Sequence, residues 1–191
     1  MNSKKYILTL VCAAFFLLPS FGQLRSFGIK TGVGATLVDV AKAIETEEDY
    51  MEEDYMEEWD TWAVIVKAEG EYGLGERFSL GVEAGVNRLY YWEYKYDMGY
   101  YKGFRWRTEW TGNLVVHAIL YLSDNLYLKG GGGLHFFFSG GTVPGLLASA
   151  GYNIPIGDKL MLPLELRVEP VFGNATPIPI VLGVGIKYKL Y

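Results

Sequence analysis

Two histidines, His117 and His135, are the side chains best suited to acid–base or metal chemistry in this 191-residue chain. Either task needs a neighbouring nucleophile or further metal ligands, and the sequence places neither at a recognisable spacing. The single cysteine, Cys12, lies in an apolar run near the N-terminus, so cysteine-based zinc sites are excluded. We therefore predict structural roles for both histidines in a hydrogen-bond network, and we assign no catalytic residue and no cofactor.

A pair of carboxylates, Glu165 and Glu169, flanks Arg167 near the C-terminus. Paired carboxylates can act as general acid and base. On a β-strand, however, residues two positions apart lie on the same face, and a cation between two anions is typical of a salt-bridge ladder. The pattern favours ion pairing over catalysis.

A tandem acidic repeat spans residues 49–58, and residues 45–58 contain nine acidic side chains and no basic one. Ca²⁺ and Mg²⁺ prefer oxygen ligands, but the ligand spacing of an EF-hand is absent, so we expect affinity on the order of millimolar at best. The alternative is a solvated loop that binds no ion. The candidate ligands are Glu47, Glu48, Asp49, Glu52, Glu53, Asp54, Glu57 and Glu58.

The composition limits the class of protein. Half of the residues are hydrophobic, 16% are aromatic and 20% are charged, which excludes disorder over most of the length. The net charge of −5 gives no basic excess for binding nucleic acid.

Apolar and polar residues alternate over eight stretches, which is the period of a β-strand with one apolar face. Short turns between three pairs of strands are expected at 75–77, 123–125 and 157–159. Longer loops are expected at the other end of the sheet, near 41–58, 93–103, 140–145 and 173–177. Pro155 and Pro163 fall within strands and predict bulges beside the turn at 157–159. The predicted strands are 24–40, 59–73, 77–92, 104–122, 126–139, 146–156, 159–171 and 178–190.

The polar face of these strands is rich in glycine, and its charges nearly cancel, with seven cations against six carboxylates. Small residues and balanced charges suit a crowded lumen, because an unpaired buried charge is costly. A soluble barrel of the lipocalin type would instead bury the apolar face. We predict that the polar face lines the lumen and the apolar face contacts lipid. The predicted interior ion-pair network comprises Lys67, Glu69, Glu83, Arg105, Arg107, Glu109, Lys129, Glu165, Arg167 and Glu169.

Aromatic residues on the apolar face form two groups separated by the height of a membrane. Trp62 and Tyr72 are ten residues apart, which spans roughly 25 Å along a tilted strand, as in the apolar band of a membrane barrel. Interfacial aromatics mark the two edges of such a band. The predicted girdle residues are Trp62, Tyr72, Phe78, Trp106, Trp110, Tyr152 and Tyr188.

Residues 1–22 have the features of a Sec-type signal peptide. Lys4 and Lys5 precede an apolar run over 6–18, and Ser20 and Gly22 provide small residues before Gln23. We predict cleavage before Gln23, which leaves residues 23–191 as an exported barrel domain without cysteine.

A signal peptide, eight alternating strands, short turns opposite long loops and the aromatic C-terminal sequence 183–191 resemble the small outer-membrane β-barrel proteins of Gram-negative bacteria. The resemblance implies an all-β fold, an eight-stranded antiparallel up-and-down transmembrane β-barrel without an open pore. It also implies location in the outer membrane, contact with outer-membrane lipid, and recognition of the C-terminal strand by the barrel-assembly machinery. Tyr191 is in phase with Lys189, so Leu190 and Tyr188 are the expected assembly signal.

Three functions fit such a barrel. The first is a structural or interaction role, in which a closed barrel displays extracellular loops to an envelope or surface protein. The second is an outer-membrane enzyme, a lipid acyltransferase or protease, and the third is a narrow channel or a carrier of small ligands. We expect the first, because neither histidine lies in a predicted loop, and we expect no enzymatic activity.

Overall fold

Eight β-strands close into one antiparallel barrel in a computed structural model of the chain, which confirms the predicted fold class. The structure describes residues 23–37, 62–97, 100–172 and 177–190, with the backbone alone described over 91–97 and 100–107. No helix in these ranges is long and apolar enough to cross a membrane. The strands are β1 (Gln23–Leu37), β2 (Trp62–Gly73), β3 (Phe78–Asp97), β4 (Tyr100–Tyr121), β5 (Leu126–Phe137), β6 (Thr142–Pro155), β7 (Leu160–Val168) and β8 (Ile178–Lys189).

Each strand pairs with the strands before and after it in the chain, and β8 pairs with β1 to close the ring. Lys30 of β1, for example, lies opposite Lys67 on β2 and Gly185 on β8. The three short connections at 74–77, 122–125 and 156–159 lie together, and we call this the turn end of the barrel. The C-terminal ends of β1, β3, β5 and β7 lie at the opposite end of the barrel, which we call the loop end.

The predicted loop at 93–103 is wrong, because β3 and β4 continue through it. Their pairing extends from Phe78–Leu120 to Asp97–Tyr100, with one irregularity between Tyr94 and Tyr96. Pairing of β3 with β2 stops at Arg88, and pairing of β4 with β5 begins only at Thr111. Within the described residues, 89–97 and 100–109 therefore pair only with each other as strands, and we call them the β3–β4 ribbon.

The predicted loop at 140–145 is also too long. β5 ends at Phe137 and β6 begins at Thr142, which leaves four residues between them. Gly140 and Gly141 have φ angles of +108° and +103°, a region that favours glycine, and they allow this tight reversal. The glycine pair is a turn signal within a segment that the sequence suggested was a longer loop.

The bulges predicted at Pro155 and Pro163 are absent from the described β6–β7 hairpin. Pro155 pairs with Met161 and Pro163 with Asn153 in a continuous register. The β7–β8 ladder has its gap at Leu162 and Pro163, while the register on both sides of the gap is unchanged. Proline lacks an N–H, so it omits a ladder hydrogen bond without inserting an extra residue. A shift of register occurs in β1, between Leu24 and Ser26.

The two faces of the barrel are opposite in polarity to those of a soluble protein. Large apolar side chains are exposed on the outside, among them Ile29 at 65% and Val116 at 53% relative exposure. Charged side chains are buried inside, among them Lys67 and Glu83, both at 0%. An apolar outer surface around a charged lumen is the arrangement of a barrel that spans a membrane.

Candidate functional site

A network of ion pairs crosses the lumen of the barrel. Lys67 and Glu69 lie two residues apart on β2, and Glu165, Arg167 and Glu169 have the same spacing in β7 and directly after it. Single residues on β1, β3 and β5 join these two groups. Among the residues with described side chains, four cations and four carboxylates form one connected set. Its members are Lys30, Lys67, Lys129 and Arg167 with Glu69, Glu83, Glu165 and Glu169.

Arg167 is the central cation of the network, and it contacts three of the four carboxylates. Its Nη1 donates to Glu83 Oε2 at 2.8 Å, and its Nη2 donates to the other oxygen of the same carboxylate. Its Nε donates to Glu169 Oε2 at 2.8 Å, and Nη1 lies 3.5 Å from Glu165 Oε1. A forked pair with a carboxylate fixes geometry as well as charge, which a lysine cannot reproduce.

Lys30 and Lys129 bridge the same two carboxylates on the side of the lumen nearer the turn end. Lys30 Nζ lies 2.8 Å from Glu69 Oε2 and 2.9 Å from Glu165 Oε2. Lys129 Nζ lies 2.6 Å from Glu69 Oε1 and 3.0 Å from Glu165 Oε2. Tyr127 adds a hydroxyl donor to Glu165 at 3.0 Å.

Lys67 completes the network toward the loop end. Its Nζ lies 3.2 Å from Glu169 Oε2 and 3.5 Å from Glu83 Oε1. Asn113 donates from Nδ2 to Glu169 Oε1 at 2.9 Å. Every carboxylate of the network thus has at least two cationic neighbours, which offsets the desolvation of eight buried charges.

A second, smaller group lies at the turn end around Glu71. Lys187 Nζ pairs directly with Glu71 Oε2, and the hydroxyls of Ser26 and Tyr121 donate to the same carboxylate at 2.9 and 2.8 Å. Arg25 lies 4.0 Å from Glu71 and stacks over the Tyr121 ring at 4.8 Å. The turn end of the lumen is therefore filled by charge and aromatic rings together.

Both histidines point into the lumen and contact glutamates. His117 Nε2 lies 3.0 Å from Glu69 Oε1, and His135 Nε2 lies 3.3 Å from Glu169 Oε1. Each ring lies against a glycine of the neighbouring strand, because a Cβ at Gly81 or Gly145 would overlap the imidazole. Glycine at these inward positions makes room for a large side chain opposite it.

Two small clusters of buried hydrophobic residues adjoin the charged network. Ile119, Tyr121 and Tyr127 form a buried cluster near the turn end. Ala63, Ile65 and Val181 form another near the loop end. Buried charge pairs are screened little by water, so their balance matters more than it would on a surface.

Eight of the ten residues predicted for the interior network have described side chains, and seven of them belong to the connected set. The eighth, Glu109, is buried at the loop end, where it accepts a hydrogen bond from the backbone N–H of Ser139 at 2.7 Å. Arg105 and Arg107 lie where side chains are not described. Lys30 also joins the set; it is one of the seven cations counted on the polar face, although it was not among the ten residues named for the network.

Sequence reasoning missed the tyrosines. Tyr121 and Tyr127 are buried, and their hydroxyls donate to Glu71 and Glu165. The signal was available, since Tyr121 alternates with the outward Leu120 and Leu122 and is therefore in the inward phase.

The girdle residues with described side chains lie on the outer face. Trp62 and Trp110, at the loop end, are 54% and 43% exposed. Phe78, Tyr152 and Tyr188 lie at the turn end, where Tyr188 packs against Phe27 with ring centroids 5.6 Å apart. Tyr72 is half-buried beside them, and Trp106 lies outside the residues with described side chains.

The acidic repeat, and with it all eight candidate metal ligands, lies outside the described residues. Within the described ranges, no group of three or more histidine, cysteine, aspartate or glutamate residues is arranged to hold a metal ion.

Comparison with known proteins supports the architecture. No family model matches the chain, and no curated protein matches its sequence. The crystal structure of Neisserial surface protein A superposes with a TM-score of 0.60 at 10% identity, covering 88% of this chain and 99% of that one. OprG of Pseudomonas aeruginosa (TM-score 0.46, 11% identity, 88% and 97% covered) and Ail of Yersinia pestis (0.45, 11%, 87% and 100%) are more distant.

The likeness to the Neisserial protein covers nearly the whole of both chains and concerns the fold alone. It agrees with the closed ring of eight antiparallel strands and with the apolar outer face. The chain thus has the fold of the small eight-stranded outer-membrane β-barrels.

Proposed function

We propose that the protein is a structural or interaction protein of a Gram-negative outer membrane, whose closed barrel displays its loop end outside the cell. The observation that carries the proposal is the bidentate pair between Arg167 and Glu83. β7 and β3 are opposite each other in the ring, so this pair lies across the middle of the lumen, which supports a closed barrel. A barrel filled in this way is suited to presenting a surface rather than to transport.

The β3–β4 ribbon is the element best placed for display. It continues for nine residues of β3 beyond Arg88, up to about 30 Å for an extended strand. Within the described residues, the part beyond Trp110 pairs only between its own two strands. Its sequence is rich in tyrosine and tryptophan, which are the residues that dominate protein interfaces.

Assembly of the barrel depends on its C-terminal strand in this proposal. Tyr188 is exposed on the outer face, and the backbone N–H of Leu190 donates to Arg25 O at 2.9 Å where β8 meets β1. The outward aromatic residue and the last strand pairing together would form the signal that the barrel-assembly machinery reads.

Fractionation of native envelopes tests the location. Intact-mass measurement of the protein recovered with the outer membrane is expected to give a chain that begins at Gln23. The unboiled protein should migrate differently from the boiled one on a gel, since the closed ring pairs its backbone internally. Recovery in the soluble periplasm would contradict the proposal.

Crosslinking in native envelopes tests the display role. A variant in which residues 91–107 are replaced by Asn-Gly should still fold as a barrel and lose the crosslinked partners of the full chain. A matched variant with the opposite turn, residues 123–125, replaced in the same way should keep them. Identical crosslinking patterns for all three proteins would contradict a role for the ribbon.

A further inference from the structure

The prolines of the barrel are concentrated in one part of its wall. Of the seven prolines in the chain, Pro19 precedes Gln23, and the other six lie in or next to β6, β7 and β8. Proline has no N–H to donate, so within a sheet it is usually confined to edge strands and bulges, and a closed barrel has no edge. Four of the six surround one short segment near the loop end. They are Pro144, Pro170, Pro177 and Pro179.

That segment is residues 169–172, which continue β7 beyond its last residue and which we call the β7 extension. On one side it lies against β6. The backbone N–H of Leu146 donates to Pro170 O at 3.0 Å, and the backbone N–H of Phe172 donates to Pro144 O at 2.8 Å. Each of these two pairs therefore has a proline as one of its members.

On its other side the β7 extension lies against the start of β8. The backbone N–H of Glu169 donates to Pro179 O at 3.1 Å, and the backbone N–H of Val171 donates to Pro177 O at 3.0 Å. Here both prolines lie on the β8 side, and both accept a hydrogen bond without returning one.

The β7 extension is therefore held by half of a normal ladder. In an antiparallel sheet, the two residues of a hydrogen-bonded pair exchange two bonds. Each of the four pairs around the extension contains one proline and so has one bond. Within a membrane there is no water to replace the missing bonds, so this part of the wall is weaker than a ladder without proline.

The side chain of Glu169 provides a second attachment for the β7 extension. Its carboxylate accepts hydrogen bonds from Asn113 Nδ2 at 2.9 Å and from Lys67 Nζ at 3.2 Å. Asn113 is on β4 and Lys67 is on β2, and neither strand is a neighbour of β7 in the ring. The extension is thus attached through the lumen, by hydrogen bonds that ionised groups strengthen.

We propose that the β7 extension is a local opening unit, which detaches from β6 and β8 while the rest of the barrel stays closed. The ion pairs of Glu169 hold it in place. Arg167, which precedes the extension, keeps its bidentate pair with Glu83, so opening exposes the loop-end part of the lumen from the side and creates no pore. Segments with few backbone bonds are those that open at a free energy below that of global unfolding.

Amide hydrogen exchange of the refolded barrel in lipid nanodiscs, followed by NMR, tests the opening. The reporters are the amides of Glu169, Val171 and Phe172. The reference amides are those of Asn87 and Thr111, which pair directly across β3 and β4 in a ladder without proline. We expect the reporters to exchange about tenfold faster or more, since each belongs to a pair with one bond. Equal exchange of the two groups would overturn the proposal.

Glu169→Gln tests the attachment through the lumen. It keeps the shape of the side chain and removes its charge, so exchange of the reporter amides should rise by a further factor of about ten. Glu165→Gln is the matched control, because Glu165 lies on the same face of β7 and in the same network but before the extension. It should leave the reporters unchanged relative to the reference amides. An equal rise in both variants, or no rise in Glu169→Gln, would overturn the proposal.

Pro170→Val tests the missing backbone bonds. It supplies an N–H opposite the carbonyl of Leu146, so exchange of the Leu146 and Phe172 amides should become slower. Pro155→Val, at the turn end of β6, is the matched control and should leave both amides unchanged. Unchanged or faster exchange in Pro170→Val would contradict the proposal.

Each variant is first checked by the difference in migration between boiled and unboiled samples, so that only folded barrels are compared. The proposal concerns the barrel wall and does not depend on the β3–β4 ribbon. A negative result therefore removes the opening unit and leaves the display role, which the envelope crosslinking tests separately.

Discussion

Arg167 and Glu83 join opposite walls of the barrel. The guanidinium of Arg167 donates to both carboxylate oxygens of Glu83, with Nη1 at 2.8 Å from Oε2. β7 and β3 are four strands apart in either direction around the ring of eight, so the pair crosses the full width of the lumen. One contact therefore joins opposite walls of the barrel across its lumen.

Removing one member of this pair should cost more than removing both. Arg167→Ala leaves three buried carboxylates without their shared cation, and we expect it to destabilise the barrel by about 3–5 kcal/mol. The double variant Arg167→Met with Glu83→Leu should lose less, because three cations and three carboxylates then remain and their charges balance. Urea unfolding in lipid vesicles measures both, and Arg77→Ala in an exposed turn is the control. An unchanged midpoint for Arg167→Ala would mean that water solvates the lumen.

Glycine at position 81 should be essential for the packing of His117. Gly81→Ala places a methyl group on the imidazole, and overpacking of this kind costs about 1–3 kcal/mol. Adding His117→Ala should restore part of the loss, since the overlap then disappears. Gly130→Ala is the matched control, because no atom lies within 4 Å of a Cβ at that outward position. Equal unfolding midpoints for the two single alanine variants would refute this packing.

The outer face should respond to charge as a lipid-facing surface does. Val116 is 53% exposed on β4, between Trp110 and the turn-end residue Leu122. Val116→Arg should destabilise the barrel in vesicles by about 2–4 kcal/mol, the cost of arginine near the bilayer midplane. Asp124→Arg, in the turn after β4, should change stability little. A neutral Val116→Arg would indicate that this face meets water.

Cation binding by the acidic repeat remains a prediction from sequence, since residues 45–58 lie outside the described ranges. Calorimetric titration with Ca²⁺ should give binding on the order of millimolar in the intact protein. Deletion of residues 47–58 should abolish it while the barrel still folds. If the intact and deleted proteins titrate alike, the repeat is a solvated spacer.

The barrel could be predicted from the sequence because apolar and polar residues alternate along each strand, and this alternation distinguishes the two faces of the strand. In β4, for example, Leu114 and Val116 alternate with Asn113 and His117. This alternation identifies which side chains face lipid and which face the lumen. The ends of the strands were harder to predict from the sequence. The β3–β4 ribbon has a sequence whose polar residues resemble those of a loop, and only the pairing of its two strands identifies it as β structure.

The sequence predicts which residues line the lumen, but it does not predict which of them contact one another. Alternation places Glu69, Glu83 and Arg167 inward, but it gives no information on which residues of distant strands meet. That depends on the tilt and stagger of the strands, which local sequence does not encode. The contact of Arg167 with Glu83, 84 positions away in sequence, is therefore visible only in the closed barrel.

Planar bilayer recording of the purified, refolded protein tests the closed lumen most directly. The interior of an eight-stranded barrel is just wide enough for side chains to fill, and here eight paired charges and two clusters of buried hydrophobic residues lie in it. We expect no stable conductance above the baseline of the bilayer in protein whose migration on gels shows it to be folded. Reproducible single-channel currents from the same preparation would contradict a barrel closed by the pair of Arg167 and Glu83.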